Sequence, residues 1–445
     1  MSERQAIRAA PGLLEDYAQG FDSLFSKRNQ REGFRRYLEG LLLPAERNKT
    51  LTGLMNTEPV VGASAARAQS LQWYLSESTW DAAAVNARRI ELLVSTGQLA
   101  PHEHGVLVID ETGDRKDGHK TAHIGRQYLA NLGKIDNGVV SVTSLWADAQ
   151  VYYPLEVEPY TPAAWFEGGK AHPGFRTKLK IALELVAQAK QRDIAFAAVV
   201  ADSFYGEDRG FRQGLEDLKV GYVLALKPSF TWWHRVGDIG SLQDAALAAP
   251  WLDSQHSGEW QAIERTFRDG HTEIWWALDV QAGPFGLQRP KRAVVVTTDP
   301  LTLPALTTWY LITNLLTAPL SDIVRLYGLR MWVEQSYKQV KTTLGWAHYQ
   351  VRSDTAIRRH WTLVCCAFSF CWWQAAQQPL LPEPLVLPSS TPPTPKKTKK
   401  TGSHNSVLAA GFASGQSLAR TLHHAQALLV RLLTAAPATV FATTP

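Results

Sequence analysis

Gly105 to Tyr160 reads GVLVIDETGDRKDGHKTAHIGRQYLANLGKIDNGVVSVTSLWADAQVYYPLEVEPY, and three runs within it decide the fold. VLVID, NGVVSVTSLWAD and VYYPLEVEPY are rich in β-branched and aromatic residues and are separated by polar or Gly-containing connections, the composition of strands joined by loops. The short Ala-Asp-Ala-Gln joint between the second and third runs favours an antiparallel hairpin. Downstream, GFRTKLKIALELVAQAKQR has the spacing of a helix, IAFAAVVAD that of a buried strand ending at Asp202, FRQGLEDLK that of another helix and VGYVLALK that of a strand.

Three antiparallel strands followed by alternating helices and strands is the order of an α/β, ribonuclease-H-like catalytic core, an analogy of element order. Upstream of it, residues 1–100 lack strand alternation, and Phe34, Tyr37, Leu38, Leu41 and Leu42 recur at helical spacing. An N-terminal helical DNA-binding domain is expected there. Its cations, Lys27, Arg28, Arg31, Arg35, Arg36, Arg47, Lys49, Arg67, Arg88 and Arg89, suit phosphates and suit a solvated amphipathic face equally well. Downstream, GEWQAIERTFRDG, TEIWWALDV and RAVVVTT predict an inserted β subdomain over 230–304. The core is therefore divided into 101–229 and 305–380, and its second part holds helical patterns from about Pro319 to Thr343 and from Asp354 to Gln378. The Pro/Ser/Thr/Lys-rich residues 381–405 read as a disordered linker, and 406–445 carry a C-terminal helix.

With 445 residues the chain is long enough for two to four units, and 45% hydrophobic with 20% charged residues is the balance of a folded protein. A net charge of +5 permits a nucleic-acid partner without requiring one. Cys365, Cys366 and Cys371 share one apolar stretch, the pattern of buried reduced thiols, and the N-terminus lacks the features of a secretory signal. The most apolar run, Trp361 to Trp373, is too short to cross a bilayer and reads as a core helix. A cytoplasmic, nucleoid-associated protein without a membrane partner is expected.

Asp110 and Asp202 each end an apolar run, where side chains at strand ends reach solvent and carry function. Either acid alone is more often merely a turn or cap residue, so the pair needs a third member. A third acid stands in YGLRMWVEQSYKQVK, where Tyr327, Arg330, Glu334 and Lys341 are three, four and seven residues apart and fall on one helix face. Tyr337 and Lys338 join that face. The i,i+4 pairing of Glu334 with Lys338 is what an ordinary solvated helix would show, but such a face seldom carries Tyr327, Trp332 and Tyr337 as well. Between Arg325 and Arg359 the cations Arg325, Arg330, Lys338, Lys341, Arg352, Arg358 and Arg359 face only Glu334 and Asp354, an excess that suits a phosphate backbone.

The Tyr-x2-Arg-x3-Glu-x6-Lys string, preceded by an Asp after VLVI and another in VVADSFYG, resembles the DDE transposases of bacterial insertion sequences that carry a β insertion before the catalytic Glu. The resemblance covers nearly the whole chain and implies a metal-dependent DNA endonuclease and strand transferase. It implies that Asp110, Asp202 and Glu334 hold two magnesium or manganese ions, oxygen ligands suiting hard cations that serve an in-line phosphodiester displacement. It also implies that Tyr327, Arg330 and Lys341, with Lys338 beside them, contact DNA. The implied partners are double-stranded DNA, as terminal inverted repeats and target, and a second copy in a DNA-bound homodimer. Some relatives stack a flipped base on a Trp of the insertion, for which Trp232, Trp233, Trp275 and Trp276 are candidates; a Trp pair in a β region is otherwise simply core.

Other readings make different demands. A zinc hydrolase would use His119 and His123, spaced i,i+4, but GDRKDGHKTAH is a poor helix and Lys120 stands where a catalytic Glu is required. A catalytically inactive transposase descendant would bind element ends without cutting them, and a general ribonuclease-H-like nuclease would cut without specific ends.

Overall fold

The computed structural model describes residues 13–43, 48–54, 68–235, 238–267, 271–280 and 290–377. The expected linker over 381–405 and helix over 406–445 lie outside the described residues. Helices α1 (Leu13–Gln19), α2 (Arg28–Leu42), α3 (Leu51–Leu54), α4 (Ala68–Ser76) and α5 (Ala82–Val94) precede β1 (Val106–Arg115), β2 (Gly125–Leu129), β3 (Lys134–Ala147) and β4 (Tyr152–Tyr160). Then come α6 (Lys178–Gln191), β5 (Ala198–Ala201), α7 (Ser203–Gly206), α8 (Arg209–Asp217) and β6 (Tyr222–Leu226). Strands β7 (Thr231–Arg235) and β8 (Asp238–Ser241), helix α9 (Leu242–Ala248), and strands β9 (Gln261–Thr266), β10 (Thr272–Val280), β11 (Arg292–Thr297) and β12 (Thr308–Thr313) follow. Helices α10 (Leu320–Gly328), α11 (Met331–Thr342) and α12 (Asp354–Gln377) complete the described chain.

The architecture is mixed α/β, with helices packed on one central sheet of order β2-β3-β1-β5-β6-β12-β11-β10-β9 and β4 added beside β3. Strands β1, β3 and β4 are antiparallel neighbours, and β5 and β6 then run parallel to β1, the arrangement of a ribonuclease-H-like core. Val106 to Ile109 are fully buried because β1 has strands on both sides and helices on both faces. The segment expected as a separate insertion divides: β7 and β8 form their own small sheet, while β9, β10 and β11 extend the central sheet through β12. Val294 to Val296 are buried within it, so their apolar run is that of an interior strand.

Strand β1 does not leave the sheet at Asp110. Its parallel pairing with β5 ends at Val108, but β3 is long enough to keep pairing with it as far as Arg115. Strand β2 has no counterpart among the expected runs; GRQYL is short, polar and alternately exposed, so its sequence carries little strand signal.

Helix α12 joins the N-terminal helices to this core. Tyr17 donates from its hydroxyl to the Cys366 carbonyl at 3.1 Å. The Tyr37 hydroxyl and the His360 Nδ1 lie 2.9 Å apart. Arg359 donates to the carbonyls of Leu75, Ser78 and Trp80. The three cysteines are free and buried on this helix, where burial raises their thiol pKa values. No described helix is long and apolar enough to cross a membrane.

Several N-terminal cations serve this packing instead of facing outward. Arg35 pairs with Glu15 and Asp22, and Arg36 pairs with Glu39. Buried Arg89 donates to Asn86, Ser369 and the carbonyls of Pro154 and Leu155. Lys49 caps the end of α2 through the carbonyls of Gly40, Leu41 and Leu43. Lys27 and Arg28 remain exposed, and Arg47 and Arg67 lie outside the described residues.

Candidate active site

Alternation along β1 sends Asp110 and Asp114 to the same face, and α11 lies across it. Arg330, just before α11, donates from Nη2 to Asp110 Oδ2 at 3.1 Å and from Nη1 to Glu334 Oε1 at 3.3 Å. Lys341, at the far end of α11, stands 2.9 Å from Asp114 Oδ1 and donates to the Gly113 carbonyl at 2.9 Å. Tyr337, between them, meets the hydroxyl of Thr143, the residue opposite Asp110 in the ladder. The helix and strand therefore run in the same direction, joined at both ends by ion pairs.

Tyr327, Arg330, Glu334 and Lys341 do not share one uninterrupted helix. Helix α10 ends at Gly328 and α11 begins at Met331, and the amides of Leu329, Arg330, Trp332 and Val333 bond three residues back. This tighter turn rotates Arg330 relative to Tyr327. Tyr327 packs its ring on Trp309, with centroids 5.1 Å apart. Burial, opposed by Arg330 and reinforced by the acids, pushes its hydroxyl up to about 12, so it stays a hydrogen-bond donor. Lys338 is exposed.

Asp202 immediately follows β5 and caps α7, its Oδ1 accepting from the Phe204 amide at 3.0 Å. Asp110 is 7% exposed. Burial raises its carboxyl to about 7, with Asp202 and Glu111 adding to the rise and Arg330 and the Glu111 amide opposing it. Asp110, Asp202 and Glu334 all stabilise the charged form of Arg330. Acids from β1 and α11 thus meet on one guanidinium, and Asp202 at the end of β5 acts on it through its charge. A fourth acid, Glu111, points to the other face of β1 and pairs with Lys178 at 2.7 Å; burial raises its pKa, Lys178 opposes the rise and Asp202 adds to it.

The donor chemistry fits a hard divalent cation: carboxylate oxygens, one of them buried at high electrostatic cost beside another acid. Among the described residues, no three metal-ligating side chains stand close enough to hold an ion as they are, and Arg330 bridges Asp110 and Glu334. Beside the α10–α11 junction opens a cleft of about 640 Å³, lined by Arg265, Arg325, Gly328 and Trp332 among others. Arg265 lies over the rings of Trp275 and Trp309 at 4.3 and 4.6 Å, and burial lowers its pKa to about 10.

The remaining sequence candidates fall elsewhere. His119 is exposed in an irregular loop, while His123 is buried in a left-handed conformation with φ of 65°. Its Nδ1 lies 2.7 Å from Thr161 Oγ1 and its Nε2 2.6 Å from Asp354 Oδ1, so both nitrogens are engaged and the pair does not form a zinc site. Trp275 and Trp276 are buried against Trp309 and Trp251. The side chains of Trp232 and Trp233 lie outside the described residues. Lys178 and Phe204 were not singled out by sequence reasoning; the apolar period of α6 gives no reason to choose its first lysine.

Residues 20–275 match the family model described as DDE superfamily endonuclease, a span that contains Asp110 and Asp202 and stops before Glu334. The chain is 33% identical over 348 residues to the probable transposase for insertion sequence element IS701 of Microchaete diplosiphon. That alignment covers 77% of this chain and 83% of the relative.

Proposed function

Given that this chain belongs to the DDE superfamily endonucleases, and is a DNA transposase of the insertion-sequence kind, we propose that Asp110, Asp202 and Glu334 are its catalytic carboxylates and hold two magnesium or manganese ions. One observation carries the reading: the half-buried Arg330 bridges Asp110 of β1 and Glu334 of α11 at 3.1 and 3.3 Å, and Asp202, at the end of the adjacent strand β5, bears electrostatically on both Asp110 and Arg330. Such ions, when bound, supply polarisation of the attacking and leaving oxygens of a phosphodiester. The family's use of divalent metal ions agrees with the donor set.

The protein's own groups orient the DNA. Arg330 has a buried Nε without a partner and stands where negative charge develops on the phosphate. Tyr327, kept protonated, donates to a phosphate oxygen, and exposed Lys338 neutralises the backbone next to the cut. Lys341 adds positive potential while holding α11 to β1 through Asp114. In the first step water attacks the phosphorus at the element end, breaking the P–O3′ bond and leaving a 3′-hydroxyl. In the second, that hydroxyl attacks a target phosphodiester, forming one P–O bond as another breaks. No nucleotide is consumed. Because two ends must be cut and joined together, a DNA-bound homodimer follows, with α1–α5 assisting in holding the terminal inverted repeats.

The test is cleavage of a duplex carrying the element's terminal repeat, with magnesium, by Asp110→Ala, Asp202→Ala and Glu334→Ala. Each is expected to bind the duplex and leave it uncut. Cutting at the wild-type rate by any of the three overturns the assignment.

A further inference from the structure

Phe204 presents an aromatic ring to solvent two residues beyond Asp202, at the margin of the candidate site. Its neighbour Tyr205 is fully buried, yet Phe204 is 49% exposed. One exposed apolar group is ordinary on a protein surface, but this one has a fixed address. Its amide is held by the Asp202 carboxylate at 3.0 Å, so the backbone that carries the ring is anchored by a proposed catalytic acid. The ring rests edge-on against Tyr205, with centroids 5.0 Å apart and planes at 88°. Lys178 Nζ lies 5.7 Å from the Phe204 centroid and 5.7 Å from that of Tyr160, tethered there by Glu111.

We infer that Phe204 is a stacking platform for the nucleobase beside the phosphodiester being cut, with Lys178 supplying positive charge at its margin. An aromatic face next to a cation is the combination by which unpaired nucleic acid is held, because every base has a π-face and every linkage a negative charge. The substrate is DNA, and a strand whose phosphate reaches Asp202 brings its adjoining base to a ring two residues along the chain. Such a base must leave its duplex neighbours, and an open aromatic surface offsets part of that unstacking. The acid and the platform share one short segment, so the base is positioned by the same turn that positions the chemistry.

This inference rests on the assignment of Asp202 to the cutting site, and the experiment separates the two. A duplex carrying the element's terminal repeat, with 5-iododeoxyuridine placed in turn at the nucleotides flanking the cut, is bound in calcium and irradiated; peptide mapping then locates the cross-link. The wild-type protein is expected to cross-link at Phe204. Phe204→Leu, which keeps apolar bulk but has no ring face, is expected to lose that cross-link and to bind about tenfold more weakly, the loss of one stacked base. Phe204→Trp is expected to retain both, and the melting temperature of all three should agree, since the ring is half-exposed. Wild-type cross-links that map only elsewhere, or Phe204→Leu binding as tightly as wild type, overturn the inference. A loss of affinity in Phe204→Leu that reflects docking of a second copy would appear as a change in oligomeric state without a Phe204 cross-link, and overturns it too. Cleavage by Asp202→Ala at the wild-type rate instead overturns the site assignment, whatever the cross-linking pattern.

Discussion

Asp110→Asn should produce a protein that is more stable than wild type at neutral pH although it no longer cuts DNA. Burial lifts the Asp110 carboxyl from 3.8 to about 7 even with Arg330 beside it. Between those values the folded chain holds a proton that the unfolded chain has released. Stability is therefore greatest below the unfolded pKa and falls as pH rises through 7. A difference of about 3 pKa units corresponds to roughly 4 kcal/mol, fully lost above neutrality. Asparagine imitates the protonated carboxyl at every pH and removes that loss. Urea unfolding of both proteins in EDTA, from pH 4 to pH 8, reads the effect as the pH-dependent part of their difference, to which titrating groups distant from Asp110 contribute equally. The two curves should meet near pH 4, and the variant should be ahead by roughly 4 kcal/mol at pH 8. Addition of magnesium should then raise wild type alone, by linkage. A wild-type protein as stable as Asp110→Asn at pH 8, or a gap that does not vary with pH, would refute the reasoning.

Other perturbations test the arrangement around this carboxyl. Glu334 has a side chain 57% exposed, so Glu334→Gln should abolish cleavage while changing unfolding free energy by no more than about 0.5 kcal/mol. Asp114 is 4% exposed beside Lys341; Lys341→Met should cost about 3–5 kcal/mol by stranding it, and adding Asp114→Asn should recover most of that in urea unfolding. Lys338→Ala should leave stability unchanged and lower the salt slope of end binding by about one, read by titrating affinity against salt. His360 is fully buried and its pKa is pushed down to about 3 by burial. Its contribution is present above 6.5 and lost as pH falls, about 5 kcal/mol in all, so His360→Gln should flatten the acid limb of the stability profile.

The legible part of this molecule was its local periodicity. The β3–β4 hairpin, α6, α8 and α12 follow from apolar spacing and turn chemistry, which neighbouring residues determine. What periodicity could not reveal was partnership across the chain. Asp110 looked like a strand end because VLVI stops there, but β3 supplies partners as far as Arg115. The strands after Phe230 read as a separate unit, yet β12 splices three of them onto the core sheet. YGLRMWVEQSYKQVK has an unbroken helical pattern, and only the backbone reveals the tightened turn at Arg330. Cations whose sequence suits phosphate, such as Arg35, Arg36 and Arg89, are held inside, because charge in a sequence carries no record of its counterion.

The two ion pairs that join α11 to β1 make this region intolerant of changes in length. On the strand, Asp110 and Asp114 are four residues apart, about 13 Å; on the helix, Arg330 and Lys341 are eleven apart, about 16 Å. Both pairs close together only at one setting, as two scales of different pitch coincide at fixed marks. Deleting a single residue between Arg330 and Lys341 would turn everything beyond it by about 100° and draw it back by about 1.5 Å. Lys341 would miss Asp114 even though none of the three proposed catalytic acids had been altered. Insertions and deletions, more than substitutions, are thus the changes that this helix cannot absorb, whereas the exposed loop around His119 has no such gauge to satisfy.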